Sequence, residues 1–407
     1  MVQENEFIPY GRQVVDEDDI REVVRALRSD WLTQGPIVEE FEEAFAAFTG
    51  AEFAVALNSG TAGLALACRV AGLGRGDRVA TSPITFAASA NCALYVEADP
   101  VFVDVDPHTA NLDPENLKEH LKNKSALRGV IPVHYGGLPC NMPEIYSISQ
   151  KFGLVIIEDA CHALGATYQD PKTGETIKVG SCRHSHMTVF SFHPVKHMTT
   201  GEGGMVTTND RELYNRLQLF RSHGITRDPK LFKNQEMREK YAGQVVPGYY
   251  EMQELGFNFR LPDINCALGL SQLKKIDEFV QARRQIAQWY REELGASTSI
   301  RLPGESDASA SSYHLYPVRI PFDRLGQERE KVMQKLHDRG IGTQVHYIPV
   351  HSHPYYQRIG YDSKTCPCAW DFYKECLSLP MFASLTRNQI RRVGETLVDV
   401  LGIGGDA

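Results

Sequence analysis

Between residues 53 and 208 the chain alternates short apolar runs with small-residue turns and helical patterns. These runs include FAVAL, RVAT, VFVDVD, GVIPV and LVIIED. Strands of nearly continuous apolar character, separated by helices, indicate a parallel sheet that is covered on both faces. We therefore predict an α/β fold with a mostly parallel central sheet. Ligands of such sheets bind outside the carboxyl ends of the strands, so polar residues that follow the apolar runs are the candidate site.

The C-terminal part of the chain predicts a second, smaller domain. A helical pattern starts at Pro262 and continues to Leu294, which predicts one long bridging helix. A Ser/Gly/Pro-rich loop, a strand and two helices follow, as in a small α+β domain. We expect an N-terminal arm and a large domain over residues 1–262, and the bridging helix with the small domain over residues 263–407.

Composition narrows the class of protein. The 407 residues include 43 Lys and Arg against 51 Asp and Glu, a net charge of −8. This acidic balance disfavours nucleic acids and anionic membranes as partners. The N-terminus lacks the basic start and apolar core of a signal peptide, and no apolar run reaches the ~18 residues of a membrane span. The nine cysteines are an odd number in a long chain, so we expect reduced thiols and a cytoplasmic protein.

The stretch from Val189 to Gly204, VFSFHPVKHMTTGEGG, places one lysine directly after a predicted strand. Pro194 ends the strand, and Lys196 precedes a turn rich in threonine and glycine. A lysine in this place is rigidly supported and still accessible. Partial burial would lower its pKa and make it able to form a Schiff base with a carbonyl compound. The alternative is a solvated surface lysine beside a tight turn.

Two other predicted strands are followed by residues that could contact a planar ligand. Asp159 ends the apolar run LVII, and a buried carboxylate needs a cationic or hydrogen-bonding partner. A protonated pyridine nitrogen is one such partner. A helix cap, or a metal site shared with His162, is the alternative. Phe86 follows another strand and could stack on a flat ring, although a single phenylalanine there is also typical of a core.

A candidate anion site lies in the turn Asn58–Gly63, NSGTAG, between a predicted strand and a predicted helix. Its small residues leave backbone N–H groups free at the start of the helix. The turn has neither the GxGxxG dinucleotide pattern nor the Walker lysine pattern. Four basic residues are either surface charge or a clamp for a diphosphate: Arg221, His223, Arg227 and Arg260.

The segment 346–353 contains three histidines, and Cys366, Cys368 and Cys376 follow it. Together they offer enough ligands for zinc, but CxC is not the CxxC spacing of structural zinc sites. We predict no metal, and expect this loop to contact a polar ligand or to pack at an interface.

The lysine loop, the strand-end aspartate and the small-residue turn together resemble the fold-type I enzymes that use pyridoxal 5′-phosphate. More narrowly, the chain is similar over nearly its whole length to the DegT-type nucleotide-sugar aminotransferases. The segments that carry this resemblance are WLTQGP, NSGTAGL, EDACHALGA, FSFHPVKHMTTGEGG, FRSHGI, NFRLPDINCALGLSQL and HYIPVH. The versions YYEMQELGFNFRLPD, YHLYPVRI and HYIPVHSHPYYQRIGY resemble most the members that act in pseudaminic acid synthesis.

This resemblance implies roles for individual residues. Lys196 would hold the cofactor as a Schiff base, Asp159 would face the pyridine nitrogen, and His162 would lie near the phenolic oxygen of the ring. The residues implied to bind the phosphate and the ring are Gly60, Thr61, Ser191 and Phe86, with Asn258 from the partner subunit. Those implied to bind the sugar nucleotide are Tyr10, Leu32, Thr33, Gln34, Gly35, Arg260, His346, Tyr347 and Tyr355.

The resemblance also implies the reaction. Glutamate would donate an amino group to carbon 4 of a UDP-linked 4-keto-6-deoxy-N-acetyl sugar, and the enzyme would be a homodimer with shared active sites. Alternatives are a dTDP- or GDP-linked keto sugar as substrate, or a pyridoxal-phosphate-binding regulator without turnover. A sugar 3-dehydratase of the same family has a histidine in place of the lysine, so Lys196 disfavours it. A nicotinamide oxidoreductase is disfavoured because GxGxxG is missing.

Two features depart from the family's pattern. His186 stands where relatives commonly have an acidic residue. The charged stretch 228–245 has extra length, and we predict that it is an insertion on the surface. Both bear on the donor or the substrate and leave the predicted chemistry unchanged.

Overall fold

A seven-stranded sheet lies at the centre of the computed structural model, which describes residues 7–122, 126–241, 244 and 247–403. The α-helices of this part of the chain are α1 (Glu17–Leu27), α2 (Pro36–Thr49), α3 (Gly60–Val70), α4 (Ala88–Tyr95), α5 (Pro114–Lys122), α6 (Met142–Phe152), α7 (Arg211–Arg221), α8 (Gln235–Tyr241), α9 (Asp263–Leu273), α10 (Ile276–Leu294), α11 (Arg329–Asp338), α12 (Pro354–Arg358), α13 (Pro367–Glu375) and α14 (Arg387–Leu401). The strands are β1 (Phe53–Leu57), β2 (Arg78–Thr81), β3 (Asp99–Phe102), β4 (Leu127–Ile131), β5 (Val155–Asp159), β6 (Thr167–Gln169), β7 (Thr176–Lys178), β8 (Met187–Ser191), β9 (Gly204–Thr208), β10 (Ile225–Thr226), β11 (Glu251–Met252), β12 (Ser309–Ala310), β13 (Tyr316–Arg319) and β14 (Cys376–Leu379). None of the helices within the described ranges is long and apolar enough to cross a membrane.

The strand order of the central sheet is β1-β9-β8-β5-β4-β2-β3. Neighbours from β8 to β3 pair in parallel, whereas β9 runs antiparallel to both β8 and β1. This arrangement confirms the predicted α/β fold with a mostly parallel sheet. Asp159 pairs with Val189 in the register of β5 and β8, so the carboxyl ends of these two strands lie at the same edge.

Alternate residues of the strands face two hydrophobic cores, one on each side of the sheet. In β1, Ala54 and Ala56 belong to the core that contains buried residues of α2 and α6. Val55 and Leu57 belong to the core that contains buried residues of α3 and α7. Because side chains of a strand point alternately to opposite faces, near-continuous apolar strands require a helical layer on both faces.

A further core involves the C-terminal part of the chain. Ile286, Tyr290 and Leu294 of α10 pack there with β13, β14, α11 and α14, and Ile8 of the N-terminal arm joins them. The first turns of α10 instead contribute Ile276 to a core of the central sheet. Helix α10 therefore connects a core of the central sheet with the core of the C-terminal part. The predicted domain division between residues 262 and 263 stays a prediction.

The predicted single helix from Pro262 to Leu294 is wrong, because two helices occupy this stretch. Helix α9 ends at Leu273, and α10 begins at Ile276. The break lets Gln272 and Lys275 reach Asp19 of α1, with Nε2–Oδ2 and Nζ–Oδ1 distances of 2.6 and 2.9 Å. The apolar periodicity continues through the break, so the sequence pattern alone did not reveal it.

The two departures from the family's pattern lie in different parts of the fold. The stretch 228–245 falls between β10 and β11, which pair with each other; residues 242, 243 and 245 are outside the described part. His186 precedes β8 at the strand end opposite Ser191, and its Nδ1 accepts a 3.0 Å hydrogen bond from the Ile156 amide.

We expect Asp19→Ala to lower the free energy of unfolding by about 2–4 kcal/mol, because it removes the buried carboxylate that Lys275 and Gln272 share and leaves them only Asp16 and the Val14 carbonyl. Asp19 is only 1% exposed. Urea denaturation of the purified protein measures the change. Arg21→Ala, which removes an exposed ion pair from the same helix, is the matched control and should have little effect. Equal midpoints for Asp19→Ala and the wild type would show that this contact does not hold α1 against α9.

Candidate active site

A cleft of about 430 Å³ opens at the carboxyl edge of the sheet, where the strand pattern predicted a ligand site. The ends of β5 and β8 and the start of α3 form part of its wall. The predicted site residues that line it are Tyr10, Gly60, Thr61, Phe86, Asp159, His162, Ser191, Lys196, His346 and Tyr347.

Lys196 lies in the loop after β8, and its backbone N–H donates to the His193 carbonyl at 2.8 Å. Its Nζ lies 3.4 Å from Nε2 of His314. Among the residues that the structure describes, no carboxylate oxygen lies within 4.0 Å of this amine. Burial lowers the pKa of Lys196, although Cys161 and Asp159 act in the opposite direction. A lysine in this environment loses its proton more readily than a surface lysine and can act as a nucleophile.

Asp159 is the last residue of β5 and is only 5% exposed. The hydroxyl of Ser89 donates to its Oδ2 at 2.6 Å, and the backbone N–H of Cys161 donates to its Oδ1 at 3.1 Å. Both oxygens therefore accept a hydrogen bond, as an ionised carboxylate does. These two hydrogen bonds hold the carboxyl group in place at the wall of the cleft.

The start of α3 forms a cradle for an anion. Ser59 caps the helix by accepting a 3.1 Å hydrogen bond from Ala62, and the first N–H groups of a helix have no partner inside it. A Cβ atom on Gly60 would lie 2.9 Å from Cβ of Ser191 and 3.1 Å from Sγ of Cys161. Glycine is required here because the helix start approaches the end of β8 this closely.

Aromatic rings form another wall of the cleft. The ring of His162 is stacked on Tyr347 at an interplanar angle of 15°, and its Nε2 lies 3.1 Å from the tyrosine hydroxyl. Burial holds the pKa of His162 well below its usual range, so the imidazole is neutral. Its Nδ1 is buried and has no hydrogen-bond partner among the described residues. Phe86 is 62% exposed, with its ring centroid 6.4 Å from that of Tyr347.

His346 and Tyr10 lie together in the same cleft. Their ring centroids are 5.9 Å apart, and Nδ1 of His346 lies 2.9 Å from the hydroxyl of Ser378. Burial lowers the pKa of His346 to about 3, so its imidazole is also neutral. A neutral imidazole and a phenol suit a ligand with hydroxyl and amide groups.

The other predicted site residues are not in the lining of this cleft within one chain: Leu32, Thr33, Gln34, Gly35, Asn258, Arg260 and Tyr355. Gln34, Gly35 and Arg260 instead line a second cleft of about 330 Å³ together with Arg221. Arg221 forms an ion pair with Glu42, which favours a structural role for this arginine. Asn258 is exposed.

The three cysteines that suggested a zinc site each contact a different part of the chain. Cys366 is buried with its Sγ 3.7 Å from the Phe102 carbonyl, whereas Cys376 has its Sγ 3.5 Å from the His346 carbonyl. The backbone N–H of Cys368 donates to Asp104. In the part of the chain that the structure describes, no three His, Cys, Asp or Glu side chains are grouped as metal ligands.

Sequence reasoning missed Ser89 and His314. Ser89 lies in α4, close in sequence to Phe86, and an alcohol opposite a strand-end aspartate carries no motif of its own. His314 lies in YHLYPVRI, which carries part of the family resemblance and predicts a strand, but neither feature gave this histidine a role. Its contact with Lys196 joins residues 118 positions apart, so local patterns could not reveal it.

These side chains fit pyridoxal phosphate. The cleft offers a lysine amine with lowered pKa, a fixed carboxylate, a helix start for a phosphate and exposed aromatic surface for a flat ring. The unpartnered Nδ1 of His162 also leaves a polar contact for a ligand.

Comparisons with known proteins agree with this chemistry. Residues 13–398 match the DegT/DnrJ/EryC1/StrS aminotransferase family. The spore coat polysaccharide biosynthesis protein SpsC of Bacillus subtilis is 38% identical over 98% of this chain and 99% of its own. The UDP-4-amino-4,6-dideoxy-N-acetyl-beta-L-altrosamine transaminase of Campylobacter jejuni is 35% identical over 97% and 98%.

Two solved structures resemble the structure of this chain over nearly its whole length. Helicobacter pylori PseC, an aminotransferase of pseudaminic acid biosynthesis, has a TM-score of 0.87 and 31% identity and covers 98% of this chain and 100% of its own. A Streptococcus pneumoniae protein in its PLP-form has a TM-score of 0.85 and 28% identity over 98% and 99%. This chain therefore belongs to the DegT/DnrJ/EryC1/StrS aminotransferase family.

Proposed function

We propose that this enzyme transfers an amino group from glutamate to carbon 4 of a UDP-linked 4-keto-6-deoxy-N-acetyl sugar. The product would be UDP-4-amino-4,6-dideoxy-N-acetyl-beta-L-altrosamine, a precursor of pseudaminic acid. The proposed amino transfer is supported by the position of Lys196 and Asp159, which line the same cleft beside a helix start that suits an anion. The sugar rests on the similarity to the Campylobacter transaminase and to PseC. Pyridoxal phosphate is the cofactor.

A second substrate class has support of its own. SpsC is 38% identical to this chain and the Campylobacter transaminase 35%, and the name of SpsC refers to spore coat polysaccharide and to no particular nucleotide sugar. The second candidate is therefore the same amino transfer to another nucleotide-linked keto sugar, with dTDP or GDP as the nucleotide.

The cofactor is assigned to residues of the main cleft. We assign its covalent attachment to Lys196 and its ring nitrogen to Asp159, because a fixed carboxylate stabilises a protonated pyridine. His162 is assigned to the phenolic oxygen. The residues assigned to the phosphate and the ring face are Gly60, Thr61, Ser191 and Phe86.

When bound, pyridoxal phosphate supplies the electron sink and carries the amino group between the two substrates. The protein supplies the base. Once free, the ε-amine of Lys196 takes the α-proton of glutamate and later delivers a proton to carbon 4 of the sugar. One base on one face of the cleft suits both half-reactions, and burial, which lowers the pKa of Lys196, increases the fraction of the amine that is free to accept a proton.

For the sugar nucleotide, Tyr10, His346 and Tyr347 are the proposed contacts within the cleft. We propose that Leu32, Thr33, Gln34, Gly35, Arg260 and Tyr355 also contact it, and that a second copy of the chain brings some of them to the site. Arg260 is the proposed partner of the diphosphate, because an arginine can bind it with two parallel hydrogen bonds.

A homodimer with shared sites is supported by an exposed apolar stretch beside Asn258. The large apolar residues Tyr250, Met252, Leu255 and Phe257 are 53, 63, 73 and 40% exposed. Contiguous exposed residues of this kind commonly mark an interaction surface. A second copy that covers this stretch would carry Asn258 to the phosphate of its neighbour.

The substrate is tested with glutamate that carries a heavy nitrogen isotope. It is supplied in separate reactions with three 4-keto-6-deoxy sugars, linked to UDP, dTDP or GDP. We expect heavy nitrogen in the product of the UDP-linked N-acetyl sugar, detected by mass spectrometry. Transfer to the dTDP or GDP sugar alone would contradict the proposed substrate and support the second candidate. Lys196→Ala is the control and should transfer nothing.

We expect Asp159→Asn to retain some cofactor and to lose most of its turnover, because an amide does not keep the pyridine nitrogen protonated. Losing this charge-assisted partner weakens ground-state binding by about 1.5–3 kcal/mol. Cofactor affinity by fluorescence titration and turnover by product formation measure the two effects. Asp104→Asn, a carboxylate outside the cleft that accepts from the Ala369 amide, is the control. Near-normal turnover in Asp159→Asn would refute the assigned role.

Shared sites are tested by mixing Lys196→Ala chains with Asn258→Asp chains. Each mixed dimer would have one site with both defects and one intact site, so activity should return to roughly a quarter of the wild-type value. Lys196→Ala mixed with Asp159→Asn is the matched control and should stay inactive, since both residues belong to the same chain's cleft. If subunit exchange is verified and the Asn258 mixture also stays inactive, the sites are not shared in this way.

A further inference from the structure

His314 contacts the reactive lysine but comes from a distant part of the chain. It precedes β13, and its Nε2 lies 3.4 Å from Nζ of Lys196. The residue is only 4% exposed, and its ring lies 4.4 Å from that of His162. No other hydrogen-bond partner of the Lys196 amine is present in the described part of the chain.

Arg283 of α10 holds the backbone around His314. Its guanidinium donates to the carbonyls of Tyr313, His314 and Met381 at 3.2, 3.3 and 3.0 Å. Arg283 is 2% exposed, and no carboxylate oxygen of the described residues lies within 4.0 Å of it. A buried cation without a counter-charge is costly, and neutral carbonyls are an unusual choice of partners for it.

Two further features fix the same backbone. A Cβ atom on Gly137 would lie 2.9 Å from the His314 nitrogen and 2.8 Å from that of Tyr313. Gly137 has φ +100°, so a side chain is excluded there by space and by conformation. Tyr313 itself has φ +46°, a left-handed conformation that a tyrosine rarely adopts. Strain of this kind persists where the surroundings impose it, commonly beside a functional residue.

The imidazole of His314 is a neutral partner for the lysine. Burial and the neighbouring Lys196 hold the pKa of His314 well below its usual range. A carboxylate in the same place would stabilise the ammonium form and keep the proton on the lysine. A neutral imidazole can direct the amine without opposing its deprotonation.

We propose that His314 is a positioning residue for Lys196: its Nε2 directs the ε-amino group into the cleft, and Arg283 fixes the imidazole through the backbone carbonyls around it. This inference rests on the proposed role of Lys196 as the residue that binds the cofactor.

The test uses the full-length chain freed of cofactor, to which pyridoxal phosphate is added. The ε-amine condenses with the aldehyde, a C=N bond forms, and the aldehyde oxygen leaves as water. Absorbance gives the rate of this capture, and borohydride reduction with peptide mapping shows that Lys196 carries the label. His314→Phe retains a ring without a hydrogen-bonding nitrogen, whereas His314→Gln retains a polar group near the position of Nε2.

We expect capture to be about ten-fold slower in His314→Phe and within about three-fold of the wild type in His314→Gln. His184→Phe is the matched control, a buried histidine outside the cleft that bonds to Tyr168, and its capture rate should equal that of the wild type. If melting curves show that His314→Phe does not fold, His314→Leu takes its place.

Equal rates for His314→Phe and the wild type would overturn the inference. So would a rate for His314→Gln as low as that of His314→Phe, because loss of packing alone would then explain both. Unchanged capture in Lys196→Ala would instead refute the proposed role of the lysine, so the two failures are distinguishable.

Discussion

The parallel pairing of β5 with β8 determines where the chemistry of this protein lies. Because Asp159 ends one strand and the Lys196 loop follows the other, this register brings a fixed carboxylate and a buried amine to one edge of the sheet. The close approach of Gly60 to the end of β8 adds the start of α3 to the same edge. A shift of register by one residue would turn Asp159 towards the opposite face of the sheet.

The start of α3 is the part of the cleft that favours a ligand with negative charge, because free backbone N–H groups lie there. Burial keeps His162, His314 and His346 neutral, so the ionisable side chains that remain in the lining include Lys196, Asp159 and Glu202. Arg283 adds a buried positive charge nearby that lowers the pKa of the lysine slightly further. The phosphate of the cofactor would accept hydrogen bonds from the free N–H groups at the start of α3.

Local sequence patterns predicted the sheet, Lys196 and Asp159, since each depends on residues next to it in the chain. They did not predict His314, whose contact with Lys196 depends on Arg283 and on the packing of α10. They also missed the break before Ile276, because the apolar spacing does not change there and the contacts of Gln272 and Lys275 with Asp19 join distant parts of the chain. The assignment of Asn258 rests on the family resemblance, since its position in one chain is outside the cleft.

The proposed function requires that one lysine in this cleft allows the protein to take an amino group from glutamate. The most direct measurement is a single turnover of the cofactor-loaded protein with glutamate and no sugar, in which 2-oxoglutarate is quantified. We predict about one 2-oxoglutarate per cofactor-loaded subunit, after which release stops until a keto sugar is added. A folded, cofactor-loaded protein that releases no 2-oxoglutarate from glutamate would contradict the proposed function.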